Sequence, residues 1–402
     1  MSTAHGIRSD SRPAWRSRAW GIVGALSITE TVSWGVLYYA FAAFLLPMQR
    51  ELGYSAPQLT GAYSLSLGVA AVTGLAVGRF LDRHSPRAMM TLGSLAGSAL
   101  VVAWSQVDGL VAFYALWAGI GVVMALVLYE PAFIVLAKHF SEPDERRRAM
   151  TALTLVAALA SFIFLPVSQA LIDAYGWRDA LLVLAVVLAV VTIPLHGFVL
   201  RPANVKDRAK QTSTPAREAL RSLPFWLLSA AFVIAMISGV AVILFAIPFL
   251  LERGYSAGFA AFAVGLIGVS QIPGRLLYAP VAAVLSRPMA TASVFVWIAG
   301  GITILVSVQA TAGVVAGLVL LGMGNGMSTL ARANTIADLY GAAAYGSIAG
   351  VAGAMTTAAR AVGPFAAAVY VAAVGYTALL WTLVVLALVA AVLAHRAERA
   401  AA

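Results

Sequence analysis

Five ionisable side chains stand inside long stretches that otherwise carry no charge: Glu30, Glu130, Arg275, Arg332 and Arg360. A charge at the centre of a membrane-crossing helix costs about 2.5–3.5 kcal/mol, so each is a candidate for binding or coupling before it is a candidate for packing. Arg275 and Arg360 are fixed cations, because guanidinium keeps its proton in proteins and its planar fork fits a carboxylate through two parallel hydrogen bonds. A pair of them in one cavity calls for an anion. Gln271 lies one turn before Arg275 on the same helical face, and the hydroxyls of Tyr38, Tyr129 and Tyr278 could donate to a bound carboxylate. Glu30 and Glu130 are the groups that could carry a proton. Two other readings stay open: the glutamates could simply neutralise Arg275 and Arg360, and Glu130, placed before the helix-kinking Pro131, could be structural. For Arg332 the sequence favours snorkelling or a gate contact near Asp338.

The elements that must hold these residues follow from composition. The chain has 402 residues, of which 61% are hydrophobic and only 10% charged, with a mean hydropathy of +0.91. A water-soluble domain has about 25% charged residues; this chain belongs in a lipid bilayer. Reading between charges gives twelve spans, at 19–47, 57–80, 88–107, 110–138, 149–173, 180–200, 223–250, 258–284, 288–308, 313–337, 347–372 and 377–395. The uncharged run 288–331 is too long for one crossing of roughly 20 residues, so a turn is placed at Gln309-Ala310-Thr311-Ala312-Gly313. A second is placed at Val374-Gly375-Tyr376. Glu30 and Arg360 then fall nearest the middle of their spans.

Orientation follows from the basic residues. With this topology, twenty of the 26 Lys and Arg fall in the N-terminal tail, the loops leading from even to odd spans, and the C-terminal end. The opposite loops hold only Arg50, Arg178 and Arg253. Such asymmetry marks the cytoplasmic side, so both termini are expected there, in the plasma or bacterial inner membrane, and the net charge of +10 is explained without nucleic acid. The first 18 residues read as a cytoplasmic tail rather than a signal peptide. Gly53-Tyr54-Ser55-Ala56 recurs 201 positions later as Gly254-Tyr255-Ser256-Ala257, and Ser85-Pro86-Arg87 is echoed by Ser286-Arg287-Pro288. The organisation expected is a tail 1–18, a six-helix half 19–200, a polar loop 201–222, a second half 223–395 in parallel orientation, and a tail 396–402. Parallel halves with a site between them near the midplane are one transporter plan.

Gly78-Arg79-Phe80-Leu81-Asp82-Arg83-His84-Ser85-Pro86-Arg87, between spans 2 and 3, resembles the loop motif of the major facilitator superfamily. Gly78, Asp82, Arg83 and Arg87 match it; Ser85 replaces a common Gly. Trp34-Gly35, Arg146-Arg147-Arg148-Ala149-Met150 and Gly176-Trp177-Arg178 are similar to recurring sequences of its monocarboxylate transporter and oxalate:formate antiporter group. The resemblance implies an all-α membrane protein of twelve helices, a cytoplasmic gate in which Asp82 latches the start of span 11 near Tyr345-Gly346-Ser347, and substrate-binding basic residues on spans 8 and 11, here Arg275 and Arg360. It departs from that group at Gln271, where an Asp is usual, and in lacking the group's Lys in span 1. Patterns of the superfamily's drug/proton exporters are missing: Ala115 stands where an Arg would precede Gly119-Ile120-Gly121, and Pro166 is isolated.

Other chemistries find little support in these residues. The chain has no cysteine, so thiolate metal sites and Cys nucleophiles are excluded, and no cofactor or metal is expected. His5, His84, His139, His196 and His395 all fall in tails, loops or span ends. No phosphate-binding Gly-Lys occurs, and Gly322-Met323-Gly324-Asn325-Gly326 lies inside an apolar span, where close packing is its reading. The expectation is a monomeric secondary transporter, not an enzyme, moving a small organic anion such as a monocarboxylate by alternating access, with protons as a candidate coupling partner. The alternative is a proton-coupled drug or metabolite exporter of the same superfamily.

Overall fold

The computed structural model describes residues 14–200, 215–341 and 344–401. Within them every element is helical. Span 1 runs Ala14–Ser33, passes through a π-helical stretch at Trp34–Tyr39 and continues as Ala40–Leu52. Spans 2 and 3 are Ala56–Arg83 and Pro86–Ser105. Span 4 is broken into Leu110–Val127 and Tyr129–His139. Span 5 begins at Pro143–Ala157 and joins a helix, Leu159–Pro194, that also contains span 6, which ends in a π-helical turn at Leu195–Val199. A one-turn helix, Ala216–Ala219, precedes spans 7 to 10 at Leu223–Glu252, Ala257–Val284, Arg287–Ser307 and Thr311–Tyr340. Tyr345–Ala401 holds spans 11 and 12.

Two of these helices are too long for one crossing. A 57-residue helix such as Tyr345–Ala401 would reach about 85 Å, against a hydrocarbon core of about 30 Å. The chain leaves helical geometry at Gly176 (φ 78°) and Gly375 (φ 84°), a left-handed region that Gly enters without penalty. Across the second break the Tyr370 hydroxyl lies 2.8 Å from Thr382 Oγ1, a contact impossible along a straight helix. Among the described residues ten helices are long and apolar enough to cross a membrane, and dividing at Gly176 and at Gly375, the latter within Tyr345–Ala401, gives twelve helical segments. Both ends of the helical region extend further than the sequence suggested: span 1 starts at Ala14, inside the expected tail, and span 12 continues through Ala401. Arg8, Arg12 and the loop residues 201–214 lie outside the described residues.

The repeat extends to atomic contacts. Tyr54 donates to the Asp108 carbonyl at 2.9 Å, and Tyr255 donates to the carbonyl of Gln309, in each case 54 residues on. Ser55 and Ser256 cap the following helices. The apolar core is unevenly shared. One cluster joins both halves, packing Leu81, Phe140 and Met150 with Phe225, Ile336 and Ile348. A second, around Phe44, Trp104, Trp117 and Leu184, is built from the first half, with Ala361 at its margin. The halves therefore meet toward the face that carries Asp82, Ala19 and Ala397, called the basic face below.

Candidate functional site

Closure of the basic face begins with glycine. A Cβ on Gly78 would stand 2.1 Å from the Gly346 carbonyl oxygen, and one on Gly346 would stand 2.4 Å from that of Gly78, so spans 2 and 11 touch backbone to backbone. This brings the Asp82 carboxylate onto the start of span 11. The Gly346 and Ser347 amides donate to its two oxygens at 2.8 Å each, and the Ser347 hydroxyl donates as well. A carboxylate at a helix N-terminus satisfies amides that have no partner in the helix and gains from the helix dipole. Lys138 Nζ stands 3.8 Å from Asp82 Oδ1. Arg83 and Arg87 are exposed. A second link between the halves was not anticipated in this form: Arg146, at the start of span 5, pairs with Asp338 in span 10.

Deeper in the protein, span 1 supplies the centre of the site. The π-helical turn over Trp34–Tyr39 places Trp34, Tyr38 and Tyr39 half-buried, and such turns often mark functional positions. Gly35 belongs to it because a Cβ there would fall 2.2 Å from the Phe164 ring. Trp34 Nε1 donates to Glu30 Oε2 at 3.0 Å. Its ring lies 4.9 Å from Tyr38 and 5.0 Å from Tyr129, centroid to centroid, and the Arg360 guanidinium stands 6.0 Å from it and 5.9 Å from the Tyr38 ring. Tyr129 is within Coulombic reach of Arg275, Glu30 and Arg360. Glu30, Tyr38, Tyr129, Arg275 and Arg360 thus share one neighbourhood.

The charges there are distributed differently from a neutralised network. Arg275 is buried; it donates to the Thr154 carbonyl at 2.6 Å and to Gln271 Oε1 at 3.3 Å, and its Nε has no partner. Gln271 is fixed in turn by span 10, where a Cβ on Gly326 would fall 2.3 Å from its carbonyl oxygen. Among the described residues no carboxylate pairs with Arg275 or Arg360. Glu130 instead binds Arg332, Nη2 to Oε1 at 2.6 Å, so the reading of Arg332 as a snorkelling side chain or a partner of Asp338 is replaced by an ion pair between spans 4 and 10. The helix break comes at Leu128, in extended geometry, not at Glu130: Pro131 cannot donate to the Val127 carbonyl, and the ladder parts there. Glu30 is completely buried and its Oε1 has no partner. Tyr278 lies elsewhere; its neighbours are Thr335, Asp338, Arg147 and Glu398.

The face opposite has its own clamp within the first half. Arg178 donates to Glu51 Oε1 at 2.7 Å and to the Ser105 carbonyl at 2.8 Å, and pairs with Asp108, while Trp177 donates to the other Glu51 oxygen. The Arg178 guanidinium holds the Glu51 carboxyl below the usual carboxylate range.

Residues 26–285 match the family model of the Major Facilitator Superfamily. The chain belongs to that superfamily. It is 25% identical over 240 residues to the oxalate:formate antiporter of Oxalobacter formigenes, covering 57% of this chain and 55% of that protein. With monocarboxylate transporter 4 of Gallus gallus it shares 27% over 270 residues, covering 60% and 55%. The chain spans about half the length of the curated relatives it matches. The crystal structure of the human organic anion transporter MFSD10 (TETRAN) superposes with a TM-score of 0.71 at 15% identity, covering 95% of this chain and 100% of that one, which establishes a shared fold. With long apolar helices throughout its described residues, the protein is a membrane-embedded member of that superfamily.

Proposed function

We propose that this protein moves a small organic anion, with a monocarboxylate the first candidate, by alternating access between the halves 19–200 and 223–395, and that the basic face and both termini are cytoplasmic in the plasma or bacterial inner membrane. The observation that carries the reading is that Arg275 and Arg360 have no carboxylate partner while both nearby glutamates are engaged elsewhere, Glu130 on Arg332 and Glu30 on Trp34. Two permanent cations in a low-dielectric interior favour an anion that desolvates with them. The names of the relatives point to carboxylates.

With the basic face closed by Asp82, Gly346 and Ser347, substrate enters from the opposite side. Its carboxylate meets the free Nε of Arg275 and the guanidinium of Arg360, and Tyr38 and Tyr129 offer hydroxyl donors. Arg275 is bonded to a carbonyl of the other half, Thr154. Drawing the guanidinium toward substrate weakens that link and helps the halves to part at the basic face. Glu30, completely buried and paired with no cation among the described residues, is the proton carrier; Glu130 is held by Arg332. A ligand of the folded state raises apparent stability by mass action, so a thermal-shift screen of the purified protein tests the reading: carboxylates should stabilise it and their methyl esters should not. Equal shifts from acids and esters, or none from any carboxylate, would remove the proposal.

A further inference from the structure

The basic face holds a cavity of about 690 Å³ beside the Asp82 latch, and its walls come from three parts of the chain. Arg79 and Arg83 project from the end of span 2, Arg217 from the one-turn helix Ala216–Ala219, Arg221 from the turn after it, and Ser347 from the start of span 11. Asp82 is the carboxylate of the lining, and its oxygens already accept the Gly346 and Ser347 amides. None of the four arginines forms an ion pair among the described residues. Four guanidiniums around one occupied carboxylate make a site for an anion with several acceptor oxygens, and phosphate geometry suits guanidinium forks.

The depth of the cavity favours one source. Leu220 gives it an apolar wall. Leu223 and Trp226 follow immediately and are exposed, and the Trp226 indole donates to the Leu220 carbonyl at 2.9 Å. Exposed tryptophan at a span end sits at headgroup level, where a lipid phosphate is within reach of neighbouring arginines. The geometry points to a phosphate-binding site here, filled by the headgroup of an anionic phospholipid. Because its walls belong to both halves and to the linker, the bound phosphate ties them together in the closed arrangement of the basic face and stabilises that state by its differential affinity.

Native mass spectrometry of the delipidated full chain, titrated with phosphatidylglycerol or phosphatidylcholine, tests this. Wild type should retain phosphatidylglycerol preferentially. The double variant Arg217→Gln/Arg221→Gln, whose substitutions lie outside the Asp82 latch, should bind it about 30-fold more weakly at low salt. Arg217→Lys/Arg221→Lys should keep most of the preference and shows that the linker tolerates substitution. Sodium phosphate that stabilises wild type but not the glutamine variant, without any lipid preference, would keep the site and assign it to free phosphate. Equal phosphatidylglycerol binding by wild type and the glutamine variant, or no discrimination between the two lipids together with no response to phosphate, would overturn it.

Discussion

The Asp82 latch and the Arg275–Arg360 region are built from the same kinds of charged residue and treat them in opposite ways. Asp82 has two backbone amides and a hydroxyl, Arg146 has Asp338, and the pairs join one half to the other. Toward the middle, Arg275 has only a carbonyl and an amide oxygen, Arg360 has aromatic faces, and Glu30 has one indole donor. Satisfied charges hold a conformation; unsatisfied ones await a ligand or a proton. Glu130 and Arg332 pair across the halves like the first kind although they lie beside the second and Glu130 Oε2 has no partner.

That division can be broken most forcefully at Glu130. Glu130→Gln should leave Arg332 without its anion and lower stability by about 3 kcal/mol, the lower end for breaking a buried pair because Glu130 is 25% exposed. Adding Arg332→Gln should recover much of the loss in thermal unfolding. A single variant as stable as wild type would place Glu130 among the unsatisfied charges.

Next in size is Glu30→Gln, expected to abolish uptake driven by an inward proton gradient while substrate exchange in liposomes persists. Gradient-driven uptake that survives would take the proton away from Glu30. Asp82→Asn comes third: it weakens charge-assisted bonds worth about 1.5–3 kcal/mol, so turnover should slow while substrate affinity stays within a few-fold. Wild-type turnover would reduce the latch to a solvated turn.

The smallest effect is at the opposite face. The Glu51 carboxyl is held below its ordinary range by Arg178, so the contact contributes above the unfolded-state value and is lost as pH falls through the lowered one. The melting-temperature difference between wild type and Glu51→Gln should be small and constant near neutrality and vanish in acid. A difference that grows with acidification would contradict the sign.

The approach of Asp82 to span 11 was readable because a local ten-residue motif and the order of the spans suffice to place it. The partner of Glu130 was not, since Arg332 is 202 residues away and the pairing depends on which faces of spans 4 and 10 meet. Pro131 announced a disturbance, but the break falls at Leu128, where the unpaired carbonyl's ladder ends. Tyr278 shows the same limit: three residues beyond Arg275 on one helix, it reaches the Asp338 side instead of the site. The π-helical turn at Trp34–Tyr39 has no composition of its own; packing of Phe164 against Gly35 accompanies it.

The central claim is that Arg275 and Arg360 receive the substrate carboxylate. Titration of a carboxylate found in the screen against wild type, Arg275→Lys and Arg275→Gln tests it most directly, with each protein checked for a cooperative unfolding transition. Affinity should fall in that order, the glutamine variant losing about 1.5–3 kcal/mol, or roughly 10- to 150-fold, and a neutral ester should bind wild type and Arg275→Gln alike. Full carboxylate affinity in a well-folded Arg275→Gln protein would contradict the account.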